Sequence, residues 1–114
     1  MKRLLDFSGP RAPKRFGLCW MALMAGGDGK GERTRDVIRR EARLQDALEA
    51  ISVNGEVVAN SLPQRRLIED CTLPLPQEDF DLLDTYTEKA PWTPQASKDV
   101  VDLWDWLSSS EKQE

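Results

Sequence analysis

Histidine is absent from this 114-residue chain, and cysteine occurs only twice. Without histidine there is no Ser-His-Asp or Cys-His nucleophile system, no histidine general base and no ordinary catalytic zinc site. Cys19 and Cys71 are too far apart in sequence for a metal-ligand motif and too few for a disulfide scaffold. We therefore expect a protein that is not an enzyme, has no cofactor or metal, and keeps both thiols reduced in the cytoplasm.

Long apolar runs are missing as well. The longest apolar segment, residues 16–25 (FGLCWMALMA), falls short of the roughly 18 residues that a membrane span needs. A long basic stretch with two prolines and an aspartate precedes it, which is atypical of a cleaved signal peptide. We expect no membrane span, and a short buried helix or docking segment at 16–25.

Charge is present in quantity but is unevenly distributed. Residues 1–68 hold 13 Lys/Arg and 8 Asp/Glu, a balance of +5, whereas residues 69–114 hold 3 Lys/Arg and 12 Asp/Glu, a balance of −9. The formal net charge of −4 therefore conceals a dipolar molecule. Such asymmetry is informative about binding partners rather than about fold.

Apolar spacing predicts a mainly α fold, a small helical domain of about four helices within residues 32–107. The clearest helix is residues 34–51, where Val37, Leu44, Leu48 and Ile51 lie on one face. A capping-box pattern at 61–64 predicts a short helix to Cys71, and the prolines at 73–76 predict an extended connector. Two further helices are predicted at 77–89 and from Thr93 to Leu107.

The remaining segments are predicted to be irregular. Prolines interrupt residues 1–15, and the following AGGDGKG sequence lacks the spacing of a phosphate-binding loop. We expect residues 1–31 to form an N-terminal arm and glycine-rich loop that either folds alone or becomes ordered on a partner. The Asn-Gly pair predicts a short hairpin near 51–58, with a helix C-cap as the alternative. Residues 108–114 are expected to be a frayed polar tail.

The first candidate binding surface is an arginine-rich helix face at 33–43. Arg35, Arg39 and Arg43 recur every four residues, with Arg33 and Arg40 nearby. They could contact the phosphates of a nucleic acid, an acidic protein surface, or only solvent. In the last case we expect local ion pairs to Asp36 and Asp46 on the same helix.

The second candidate is the acidic C-terminal half. Asp99 and Asp102 begin a row with Asp105 on the last helix, and Asp81, Asp84 and Glu88 form another row on the helix before it. These rows could dock a basic partner or simply keep the surface soluble. No pair of them is predicted to share a catalytic pocket.

Four tryptophans are many for so small a core. Trp104 falls on the apolar stripe of the last helix and is expected in the core. We take Trp92, between two prolines, and Trp106, at the edge of the stripe, as candidate interface anchors.

Together these features favour a non-enzymatic protein-protein interaction factor (an assembly factor, adaptor or inhibitor) that binds another protein or copies of itself. The candidate partner-binding residues are Arg35, Arg39, Arg43, Trp92, Asp99, Asp102 and Trp106. The alternative is a nucleic-acid-binding regulator, antitoxin-like or transcriptional, that uses the arginine-rich helix. The composition is typical of phage- or plasmid-encoded factors.

Overall fold

A computed structural model describes residues 2–27, 29, 32–55 and 65–113. Within these residues, four α-helices make the protein mainly α-helical, as predicted. The helices are α1 (Ala12–Ala25), α2 (Arg35–Ala50), α3 (Gln77–Lys89) and α4 (Ser97–Ser108), with a 3-10 turn at Pro94–Ala96. The strands are β1 (Lys2–Phe7), β2 (Ser52–Asn54), β3 (Arg65–Leu67), β4 (Cys71–Pro76) and β5 (Glu111–Gln113).

The N-terminal segment is a strand and a helix, so the prediction of an irregular stretch at 1–15 is wrong, whereas the short helix expected as one alternative at 16–25 lies within α1. Strand β1 lies at the centre of an antiparallel sheet of order β4-β1-β5, and Leu5 and Phe7 are completely buried. The strand was missed because it is stabilised by pairing with residues about 70 positions later, which leaves no local signal. Both β1 and α1 pack against elements that follow residue 31. Whether they fold without a partner stays a prediction.

Strand β4 occupies the segment that was predicted to be a polyproline-like connector. Leu73 and Leu75 point into the core, and Pro74 and Pro76 alternate with them. Alternate residues of a strand direct their amide nitrogens to the same side, and proline cannot donate to a ladder. The two prolines therefore turn their nitrogens toward the outer edge of the sheet, where they block pairing with another chain.

The C-terminal segment also joins this sheet. Residues 111–113 pair antiparallel with Lys2, Arg3 and Leu4. The prediction of a frayed tail is therefore corrected for these residues, which are held by backbone pairing that their polar sequence does not reveal.

The Asn54-Gly55 pair does not close a two-residue hairpin. Strand β2 pairs with β3 instead, in the register Ser52↔Leu67 and Asn54↔Arg65. Arg65 fixes this ribbon, because it donates to the Ser52 hydroxyl at 2.8 Å and its guanidinium lies 5.6 Å from the centre of the Trp20 ring. The second arm of the predicted hairpin and the capping box at 61–64 lie outside the described residues. The helix predicted up to Cys71 is wrong for residues 65–67, which form β3.

Helices α1 and α3 pack against the three-stranded sheet, and α2 and α4 pack against α1 and α3. Phe16 of α1 meets Phe7 of β1 edge-on, with ring centres 5.8 Å apart. Leucines from the other helices complete the core at positions 44, 48, 83, 103 and 107. The opposite face of β1 carries Lys2 and Asp6 to solvent. This arrangement sets α3 and α4 side by side.

The glycines after α1 end the helix. Gly26 has φ 63° and Gly27 has φ 67°, a left-handed conformation that favours glycine. The Gly27 amide donates to the Ala22 carbonyl at 3.3 Å, which closes a Schellman-type cap. A Cβ on Gly27 would lie 3.2 Å from Tyr86 Cδ1, so the cap also lets α1 approach α3 closely.

Candidate functional site

An apolar groove of about 380 Å³ lies between the 3-10 turn and α4. Its walls carry two solvent-facing apolar side chains, Val101 at 51% exposure and Trp104 at 38%. The half-buried Trp92 and the exposed Pro94 form the other side. Contiguous exposed apolar surface costs solvation free energy unless it is covered, and it is typical of interaction sites.

A single backbone carbonyl holds both tryptophans of the groove. The Trp92 indole Nε1 donates to the Thr87 carbonyl oxygen at 2.7 Å, and the Trp104 Nε1 donates to the same oxygen at 3.3 Å. In a helix this carbonyl would accept from the amide four residues later, but that residue is Pro91, which has no amide hydrogen. The two indoles take its place, so their rings are fixed before any partner arrives.

Three carboxylates lie on α3 and α4 within one turn of Thr87 or Trp104, although none of them lines the groove itself. Glu88 follows Thr87 directly, Asp84 lies one turn earlier on α3, and Asp105 follows Trp104 on α4. All three are exposed, and none forms an ion pair within the described part of the chain. Partial burial and the neighbouring Glu88 and Asp81 carboxylates raise the pKa of Asp84, whereas Arg3 opposes this. Lys98 lies one turn before Val101, and negative charge still predominates.

Two of the predicted acidic site residues contact α1. Asp102 accepts from Arg15 Nε at 3.0 Å and from Arg11 Nη1 at 2.6 Å, and hydrogen bonds from Arg15 and then Arg11 lower the pKa of its carboxyl. Asp99 lies 3.4 Å from Lys14 Nζ. These contacts fasten the N-terminal turn of α1 to α4, so the two carboxylates already have cationic partners within the chain.

The arginine face of α2 is only partly available. Arg43 pairs with the fully buried Asp79 through bonds of 3.0 and 2.7 Å, and also reaches Glu78 at 3.1 Å. Arg40 lies 3.6 Å from Glu78, and Arg33 donates to Glu41 at 2.9 Å. The arginines thus pair with α3 and Glu41 instead of the expected Asp36 and Asp46. Arg35 and Arg39 are exposed and have no carboxylate partner among the described residues.

Trp104 is more exposed than the sequence predicts, whereas Trp106 packs against the core. The Trp106 ring packs 5.0 Å from Phe7, lies under the Arg15 guanidinium, and donates its indole N–H to the Asp6 carbonyl at 3.2 Å. It therefore packs over the end of β1, beyond the residues that pair with β5, and is half-buried. Its role as an interface anchor stays a prediction. The expectation that Trp104 is core is wrong, because α4 packs against α1 and α3 and buries Leu103 and Leu107, which leaves Trp104 38% exposed. The sequence signal that could have indicated this position for Trp104 is Pro91. It has no amide hydrogen for the Thr87 carbonyl, and the Trp104 indole donates to that carbonyl instead.

A second cleft of about 380 Å³ lies between α1, α2 and α3, beside the glycine loop. Its ionisable residues are Glu32, Arg33, Glu41, Tyr86 and Lys89. Burial and the Glu41 carboxylate raise the pKa of Tyr86, so the phenol stays protonated at neutral pH. Burial likewise raises the pKa of Cys19 to about 12, which keeps that thiol unreactive. These properties do not favour acid-base or nucleophilic chemistry.

No group of three or more potential metal ligands occurs in the part of the chain that the structure describes. The same residues contain no helix that is long and apolar enough to cross a bilayer. The chain matches no protein-family model, no curated protein and no solved structure. The groove and the charges near it are the features of this chain that indicate a function.

Proposed function

We propose that this protein is a non-enzymatic binding protein that captures another protein chain in the groove formed by Trp92, Val101 and Trp104. The observation that carries the proposal is the pair of indoles held on the Thr87 carbonyl beside an exposed valine. Tryptophan dominates the energetics of many interfaces because one side chain desolvates a large area. An assembly factor, an adaptor and an inhibitor would all work in this way.

Preorganisation supports this assignment. Binding is weakened when flexible side chains must be ordered, typically by about 0.5–1.5 kcal/mol for each one. Here the indole hydrogen bonds limit the motion of both rings before binding. An inserted apolar side chain would gain contact with two aromatic faces and Val101 at little entropic cost.

The surrounding charge indicates the chemistry of the partner. Asp84, Glu88 and Asp105 would repel phosphate groups, which makes the groove unsuited to a nucleic acid. A protein segment with a bulky apolar side chain flanked by Lys or Arg would match both features. Both cysteines are free thiols, and we propose a reducing, cytoplasmic setting for this binding.

A displayed library of random peptides, selected on the immobilised full-length protein, tests the proposal. We expect the selected peptides to carry one bulky apolar residue next to Lys or Arg. Trp104→Ala should raise the dissociation constant of such a peptide by roughly tenfold or more, since it removes a wall of the groove. Val101→Arg should have a similar effect by filling the groove and adding positive charge.

Ile68→Ala is the matched control, because Ile68 is an exposed apolar residue (57%) outside the groove. It should leave peptide affinity unchanged. Failure to select any peptide, or equal binding by wild type and a folded Trp104→Ala variant, would contradict the proposal. Retention on an oligonucleotide at low salt that is lost in Arg35→Ala/Arg39→Ala would instead favour the nucleic-acid alternative. Arg43 is left out of this variant because it holds Asp79.

A further inference from the structure

A second exposed surface, on α2, combines an apolar side chain with positive charge, which is what the groove is proposed to bind. Ile38 is 46% exposed, and Ala42 lies one turn later on the same exposed face. Arg35 lies one turn before Ile38, and Arg39 follows it directly. An apolar side chain is thus presented beside two exposed cations that have no ion-pair partners among the described residues.

We infer that the occupant of the groove is a second copy of this chain, which inserts Ile38 between Trp92, Val101 and Trp104. Arg35 and Arg39 of one copy would then face Asp84, Glu88 and Asp105 of the other. This inference rests on the proposed function, because it names the partner of the same groove.

Charge complementarity carries the inference. The balance of +5 in residues 1–68 and −9 in residues 69–114 favours contact between the first half of one molecule and the second half of another. At the contact itself, the free cations of α2 would meet the unpaired carboxylates of α3 and α4. Partial burial, and then repulsion by Glu88 and Asp81, already raise the pKa of Asp84, and an arriving guanidinium would relieve that repulsion.

The contact must form between molecules. The ion pairs of α2 that reach another helix go to α3, and those of α4 go to α1, so in the described chain both helices are fixed in place. The inserted residue and the groove belong to different helices, so a head-to-tail contact leaves one of each free on every dimer. Association should therefore continue to short chains or rings and should weaken as salt screens the charges.

Mixing two complementary variants of the full-length protein tests this geometry. Trp104→Ala lacks a working groove but keeps Ile38, whereas Ile38→Asp lacks the inserted side chain but keeps the groove. In analytical ultracentrifugation we expect wild type to form dimers and larger species as its concentration rises. Each variant alone should remain monomeric, and an equimolar mixture should give a 1:1 heterodimer and nothing larger.

A charge swap provides a second, independent pair of variants. Arg35→Glu/Arg39→Glu and Asp84→Lys/Glu88→Lys should each abolish self-association. Mixing the two should restore association, including species larger than a dimer, because both α2–groove contacts then pair opposite charges. Circular dichroism confirms that each variant is folded. The inference is overturned if wild type remains monomeric at all concentrations, if Trp104→Ala associates as wild type does, or if the mixtures stay monomeric. Selected peptides that bind the groove of a monomeric wild type would leave the proposed function standing and remove only the second copy as its occupant.

Discussion

Pro91 determines how the tryptophans of the groove are held, because it has no backbone N–H. Because it cannot donate to the Thr87 carbonyl, that oxygen is free to accept from Trp92 and Trp104. A buried carbonyl without a partner would cost about 1–3 kcal/mol, so the indoles stabilise the helix end as well as shaping the surface. A residue that ends a helix thus also positions a binding site.

Asp102 illustrates how a predicted site residue can be structural. Asp102→Asn should lower the free energy of unfolding by about 0.5–1 kcal/mol at pH 7, the range for a partly exposed ion pair. The Asp102 pKa is lowered in the folded state, so its stabilisation is present above the ordinary pKa of 3.8 and is lost as the pH falls through the lower folded value. Urea unfolding of both proteins at several pH values measures this difference.

Asp99→Asn is the control for that measurement, since Asp99 makes a longer and more exposed pair with Lys14. It should have a smaller effect than Asp102→Asn. An Asp102→Asn variant as stable as wild type at pH 7, or a difference that grows below pH 3.8, would contradict the assigned role.

Among the elements, the helices were predictable because their signals are local. Thr34 caps α2 through its hydroxyl, which accepts from the Val37 amide at 3.3 Å. The apolar repeat that follows lies within the same helix, so it can be recognised without knowledge of distant residues. Helix α3 begins and ends at the predicted residues, 77 and 89. Strands β1, β4 and β5 were missed because each depends on pairing with residues far along the chain.

The junction between α2 and α3 depends on Arg43. Its bidentate pair with Asp79 compensates a carboxylate that is 1% exposed. Breaking a buried pair by removing one partner leaves a charge without compensation, which is strongly destabilising. Arg43→Ala should therefore lower the midpoint of thermal unfolding by at least roughly 5 °C.

Arg39→Ala, one turn earlier on α2, is the matched control because Arg39 is exposed and makes no ion pair with a described residue. Its midpoint should stay within roughly 2 °C of wild type. Equal midpoints for the two variants would show that the Arg43–Asp79 pair does not stabilise the junction. Differential scanning calorimetry on both variants distinguishes these results.

At the scale of the whole molecule, the charge asymmetry and the number of tryptophans can be read directly from the sequence. Which tryptophan faces solvent cannot be predicted from it. Trp104 and Trp106 are two residues apart and lie on nearly opposite sides of α4. Their exposure depends on where β1 lies, and that strand has no local signature. For the same reason the sequence did not separate Arg43, which is paired with α3, from the free Arg35 and Arg39.

The central claim is that a partner enters the groove beside Trp92 and Trp104. The most direct measurement is a titration of the ¹⁵N-labelled protein with a selected peptide, following the indole N–H resonances of its four tryptophans. We predict that the Trp92 and Trp104 resonances shift with peptide concentration, while those of Trp20 and Trp106 stay in place. Shifts at Trp106 or Trp20 with no change at Trp92 and Trp104 would contradict the account.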